Sequence, residues 1–121
     1  MTYKALRAVA KRVRRHLDPR GSSMLRGWCF TATEDLAIAL LDTGADDVTI
    51  LGNKHHSFIY CSGYFIDATC RQFNSRLPAV KMWKIKEFDW ESAPPYWQYD
   101  TVEAVYLDGT RKQLHSQRRR K

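Results

Sequence analysis

The stretch HHSFIYCSGYFIDATC, residues 55–70, decides how this chain reads. Apolar positions on either side of Ser62-Gly63 predict two antiparallel strands, 55–60 and 64–68, joined by a tight turn. Across that turn Tyr60 falls opposite Phe65, and Phe58 opposite Asp67. Side chains alternate faces along a strand, so His56, Phe58 and Tyr60 share a face with Phe65, Asp67 and Thr69. His55 points the other way. His56 then lies diagonal to Asp67, within reach of a long side chain. A three-residue turn would reverse the parity, so the reading is conditional on the turn.

The surrounding chain is short and basic. Its 121 residues suit one domain, spanning 1–121, and 44% hydrophobic content with 12% aromatic content is enough for a core. A net charge of +7 favours acidic partners: nucleic acid, an anionic membrane or an acidic protein. Three cysteines cannot all pair within one chain, and no spacing suggests a disulfide framework. A reducing, cytoplasmic compartment is therefore expected, with a free thiol available for chemistry. No run of 18 apolar residues spans a membrane, and no secretory leader is expected.

Residues 3–17 predict an amphipathic helix whose apolar stripe is Leu6, Val9, Ala10, Val13 and Leu17. Within residues 1–20 the basic residues, Arg14 among them, are expected to form a solvated face. A second helix, Cys29–Asp42, buries Thr33, Leu36, Ala37, Leu40 and Leu41 and stops at Gly44. Glu34 and Asp35 are placed near its first turn. Further strands are expected at 48–51, 82–88 and 101–107. Between the last two lies an aromatic, proline-containing loop, DWESAPPYWQYD. The catalytic core is delimited as 27–110. Residues 111–121 are expected to be a frayed basic tail.

Cys29 opens a helix, where the dipole stabilises a thiolate, and a neighbouring imidazolium adds to that effect. A thiolate, a histidine to protonate the leaving group and a carboxylate to orient the histidine form a nucleophilic set. Cys29, His56 and Asp67 occur in that order. GWC, DLAIALLDTG, VTILG, HHSFIY and GYFIDAT together resemble the transglutaminase-like branch of the papain-like cysteine-enzyme superfamily. Gly27, Cys29, Gly44, Gly52, His56, Phe58, Asp67 and Thr69 match its pattern in order.

The resemblance implies an α+β fold, with N-terminal helices packed on an antiparallel sheet in a papain-like or transglutaminase-like core. It assigns Cys29 as nucleophile, His56 as general base and acid, and Asp67 as orienter. The implied activity is thiol-dependent attack on an amide of a protein substrate, as in a cysteine protease, glutamine deamidase or acyl transferase. No cofactor is implied. Small bacterial members look like papain-fold toxins and secreted effectors, which suggests delivery into a target cell; the basic charge adds an acidic protein partner or inhibitor. Papain-like enzymes often draw an oxyanion donor from a Gln ahead of the cysteine, and this chain has none there. The Cys29 backbone N–H, Trp28, Asn53 and Gln72 are the candidates, with Gln72 favoured.

Two other readings compete. His55, Cys61 and Cys70 fall on one side of the hairpin and suggest zinc, but they lack the close pairs of zinc fingers. The plainer alternative for these cysteines is burial as packing thiols. The basic first helix and the QRRRK tail suggest a non-catalytic module that binds nucleic acid or an acidic protein partner, though no recognised nucleic-acid-binding motif is present.

Overall fold

A computed structural model describes residues 1–21, 23–89 and 91–116. Two helices, α1 (Tyr3–Leu17) and α2 (Cys29–Asp42), lie on a six-stranded antiparallel sheet. The strands are β1 (Thr49–Gly52), β2 (Ser57–Cys61), β3 (Tyr64–Asp67), β4 (Lys81–Lys84), β5 (Thr101–Val105) and β6 (Arg111–Ser116). Their order across the sheet is β4-β3-β2-β1-β5-β6. The α+β class expected from the sequence is the class observed. None of the helices is long and apolar enough to cross a membrane.

The β2–β3 hairpin turns on two residues. Ser62 and Gly63 both adopt positive φ, 53° and 86°, as a tight turn matched to strand twist requires. Tyr60 pairs with Phe65 and Cys61 with Tyr64. The condition on the parity of His56 and Asp67 is therefore met.

Alternation along these strands builds two cores. On one face Ile50, Ile59, Cys61 and Ile66 pack beneath Leu36, Ala37 and Leu40 of α2 and Leu6, Val9, Ala10 and Val13 of α1. On the other, Leu51, Phe58, Phe65, Cys70 and Trp97 form an aromatic layer with Trp83, Phe88 and Tyr99. Phe58 and Phe65 meet edge to face at 5.6 Å, an arrangement the ring quadrupoles favour. The proline-containing loop thus supplies the cover of a second core. Cys61 and Cys70 lie in different cores, contrary to the expectation that both share the His55 side.

Several boundaries move. Residues 111–116 are not a frayed tail: they pair with β5, and Arg111 of β6 forms ion pairs with Glu34 and Glu103. Residues 117–121 lie outside the described residues. Glu34 and Asp35 lie beyond the first turn of α2, and Leu41 is only partly buried. The strand expected at 82–88 ends at Lys84 and continues as a 3-10 turn, Ile85–Glu87.

Arg14 departs most from expectation, because it is buried instead of solvated. Its guanidinium donates to the carbonyls of Ala68 (2.6 Å) and Ser23, and pairs with Asp18 at 3.3 Å. It thereby ties α1 to the loop before Cys29 and to the residue after Asp67. Removing it leaves the buried Asp18 carboxylate without its counter-charge and the Ala68 carbonyl without its side-chain donor. Arg14→Met is expected to lower the unfolding free energy by roughly 3–5 kcal/mol in a urea titration. The exposed neighbour substitution Arg15→Gln is expected to change it by no more than about 0.5 kcal/mol.

Candidate active site

Cys29 is the first residue of α2 and is 4% exposed. The loop before it runs through Leu25 and Gly27, both at positive φ, 53° and 78°. Left-handed backbone is ordinary for Gly27 and strained for Leu25, whose buried side chain holds the loop against the protein. No side chain caps the helix at Trp28, so the first-turn N–H groups, that of Cys29 included, have no intrahelical acceptor.

His56 precedes β2, where Asn53 shapes the backbone. The Asn53 Oδ1 accepts from the backbone N–H groups of His55 (2.8 Å) and His56 (3.0 Å). Its Nδ2 donates to the Gln98 carbonyl at 2.8 Å. Asn53 therefore has its amide engaged and positions His56, rather than standing free as an oxyanion donor. Ser57 closes the gap between helix and strand: its hydroxyl bridges the Cys29 carbonyl (3.4 Å) and Thr33 Oγ1 (3.1 Å), and Thr33 donates to the Ser57 carbonyl. Cys29 and His56 are thus held together by buried hydrogen bonds between α2 and the start of β2.

Asp67 is the hub. Its Oδ2 lies 2.7 Å from His56 Nε2 and accepts from the indole N–H of Trp97 at 2.5 Å. Its Oδ1 accepts from the Thr69 backbone N–H at 2.9 Å. With Nε2–H aimed at a carboxylate, the remaining nitrogen, Nδ1, is the one left to exchange a proton. Nδ1 is buried and makes no hydrogen bond. The Cys29 thiol is near enough to act on the imidazole, and its own contact is a long one, 3.9 Å, to the His55 carbonyl.

Burial disfavours the charged form of His56. The hydrogen bond to Asp67, together with the neighbouring Cys29 sulfur and the charges of both groups, outweighs it and lifts the imidazole from 6.5 to about 9. The site therefore favours an imidazolium at neutral pH. The other two thiols are held neutral, chiefly by burial, with Cys61 pushed up to about 11 and Cys70 to about 12.

Phe73 meets the edge of His56 at 4.8 Å and stacks on Tyr96 at 4.2 Å, so this aromatic pair roofs the imidazole. Beyond the roof lies a cleft of about 790 Å³ lined by Lys54, His55, Phe73, Pro95, Tyr96 and Gln98. His55 is exposed on this cleft, turned away from Asp67. Gln72 reaches the loop before Cys29: its Oε1 accepts from the Gly27 N–H at 3.4 Å while its Nε2 donates to Thr69. Trp28 is 48% exposed, and its backbone N–H is engaged by the Leu25 carbonyl. Among the described residues, no three His, Cys, Asp or Glu side chains come together as metal ligands.

Sequence reasoning missed Trp97, Ser57 and Arg14. A buried indole must find an acceptor, so Trp97 carried a signal, but its partner lies 30 residues away. Compared with known proteins, the chain matches no family, no curated protein and no solved structure.

Because folding raises the His56 pKa, the folded state holds this proton more tightly than the unfolded chain. The associated stability is complete below about pH 6.5 and is lost as pH rises through about 9. Urea titrations should show stability falling across that window by up to about 3 kcal/mol. His56→Gln should flatten the profile below pH 8.5, where the Cys61 and Cys70 thiols remain neutral with a reference value of 9.0.

Proposed function

We propose that the protein is a thiol-dependent amide hydrolase acting on a protein substrate through Cys29, His56 and Asp67. One observation carries the reading. A buried imidazole is bound through Nε2 to a carboxylate, its Nδ1 has no hydrogen-bond partner, and the Cys29 thiol at a helix start acts on the same ring. A histidine that only filled the core would be expected to have both nitrogens hydrogen-bonded.

In the proposed reaction the Cys29 thiolate attacks the amide carbonyl, forming a carbon–sulfur bond. The carbonyl oxygen takes up the negative charge, and the Cys29 backbone N–H is offered to it as a donor. Collapse breaks the carbon–nitrogen bond as His56 gives its Nδ1 proton to the departing amine or ammonia. Water then attacks the thioester, His56 takes its proton, and the acid product leaves with the thiol restored. Asp67 holds the imidazole in the tautomer both steps need. Attack on a backbone amide gives proteolysis, and attack on a glutamine side chain gives deamidation. An amine acceptor in place of water would give transfer.

The resemblance to papain-like and transglutaminase-like enzymes agrees with this reading, as does the order of helix, strand and strand that carries the three residues. Gln72 is the favoured second oxyanion donor, since its amide already borders Gly27; a rotation releasing Nε2 from Thr69 would be required.

Alkylation of Cys29 by iodoacetamide at neutral pH, followed by peptide mass spectrometry, tests the pair directly. Cys29 should react faster than Cys61 and Cys70, and His56→Gln should slow it at least ~10-fold while leaving the other two unchanged. Equal rates in wild type and variant would defeat the thiolate–imidazolium reading. On a protein substrate mixture, Cys29→Ala should abolish new termini and Gln-to-Glu conversion. His56→Gln should reduce turnover by about 10²–10⁴. The effector reading adds one expectation: wild-type expression slows growth of a susceptible host, and Cys29→Ala does not.

A further inference from the structure

Apart from Arg14, the cations of α1 make no contact described for the site. The helix contains no Asp or Glu between Tyr3 and Leu17. Its apolar stripe and Arg14 face the core, which turns Lys4, Lys11 and Arg15 outward, flanked by Arg7 and Arg12. Among the described residues, Arg14 alone of the α1 cations is ion-paired. Asp35 and Asp42 of α2 share a groove with Arg12 and His16 on one flank without pairing. The Lys4–Lys11–Arg15 edge has no acid of its own helix beside it.

That edge ends in a concavity. A hollow of about 220 Å³ is lined by Lys11, Arg15, Gly21, Ala79, Val80 and the Arg14–Asp18 ion pair. Its carboxylate is already neutralised, because Asp18 accepts from Arg14 (3.3 Å) and from the Ser23 backbone N–H (3.0 Å). Two cations one helical turn apart are left facing a space large enough for a phosphate.

We propose that the outward face of α1 binds the phosphodiester backbone of nucleic acid, with one phosphate seated in the hollow between Lys11 and Arg15. From Lys4 to Arg15 the helix rises about 16 Å at ~1.5 Å per residue. That length passes several phosphates, at roughly one per 3.4 Å of duplex axis on each strand. A membrane would need apolar side chains on this face to insert, and Ala8 is the only one between the cations. A protein partner would need an apolar anchor at the centre of the patch, which is also missing. A phosphate backbone needs cations alone. The contacts involve no base edges, so binding is indifferent to sequence.

The test is fluorescence anisotropy of the full chain with a labelled random-sequence duplex, from ~50 to ~200 mM salt. Wild type should bind with log affinity falling linearly against log salt. Lys11→Gln with Arg15→Gln should weaken binding at least tenfold and reduce the slope by about 2, one for each phosphate no longer neutralised. Thermal melting and Cys29 alkylation of the double variant should match wild type, which separates this face from the cysteine site. A Lys11→Glu, Arg15→Glu pair should lose binding altogether. Unchanged binding in the glutamine variant, with loss only when residues 117–121 are removed, would overturn the proposal in favour of the tail. Retention on phosphatidylserine vesicles without duplex binding, or no duplex binding at the lowest salt, would overturn it as well.

Discussion

The carboxylate of Asp67 is the constraint on which the candidate site depends. A charge with 1% exposure is tolerated only when its oxygens are satisfied, and here three donors converge on it. Each donor belongs to a different part of the chain: His56 before β2, Thr69 after β3, and Trp97 from the loop preceding β5. Satisfying one buried charge therefore fixes the hairpin, the chain leaving it and the aromatic loop relative to one another. It also decides which imidazole nitrogen is free.

The sheet has two covered faces, and the site lies where their covers meet. Cys29 comes from the helical layer, whereas Trp97, Tyr96 and Phe73 come from the aromatic layer. Ser57 and Thr33 join the first turn of α2 to the strand, and Arg14 joins α1 to both the loop before Cys29 and the end of β3. These polar links run through otherwise apolar packing, where a missing partner is costly. They explain how Cys29 on one layer is held against a histidine whose neighbours belong to the other. The same frame leaves the cations on the outer face of α1 without an ion pair among the described residues.

Much of this was legible in the residues. The 3.6-residue stripe of 3–17 and of 29–42 pointed to both helices, and the Ser62-Gly63 turn to the hairpin and its register, because both are short-range patterns with a fixed period. The register put His56 and Asp67 on one face, and their 2.7 Å contact follows that parity. The strand at 111–116 was not legible. Its basic, polar residues lack a buried face to alternate against, and pairing with β5 is what makes it a strand.

The residues taken alone specify local features: two helices, a hairpin, and a histidine and aspartate in phase. It takes the assembled fold to bury Arg14, to part Cys61 and Cys70 to opposite faces, and to bring Trp97 onto the carboxylate. The physical reason is range. Periodicity reports which way a side chain points from its own element, within a few residues. A buried donor or acceptor finds its partner wherever the fold brings one, and here the partners stand 54 residues from Arg14 and 30 from Asp67.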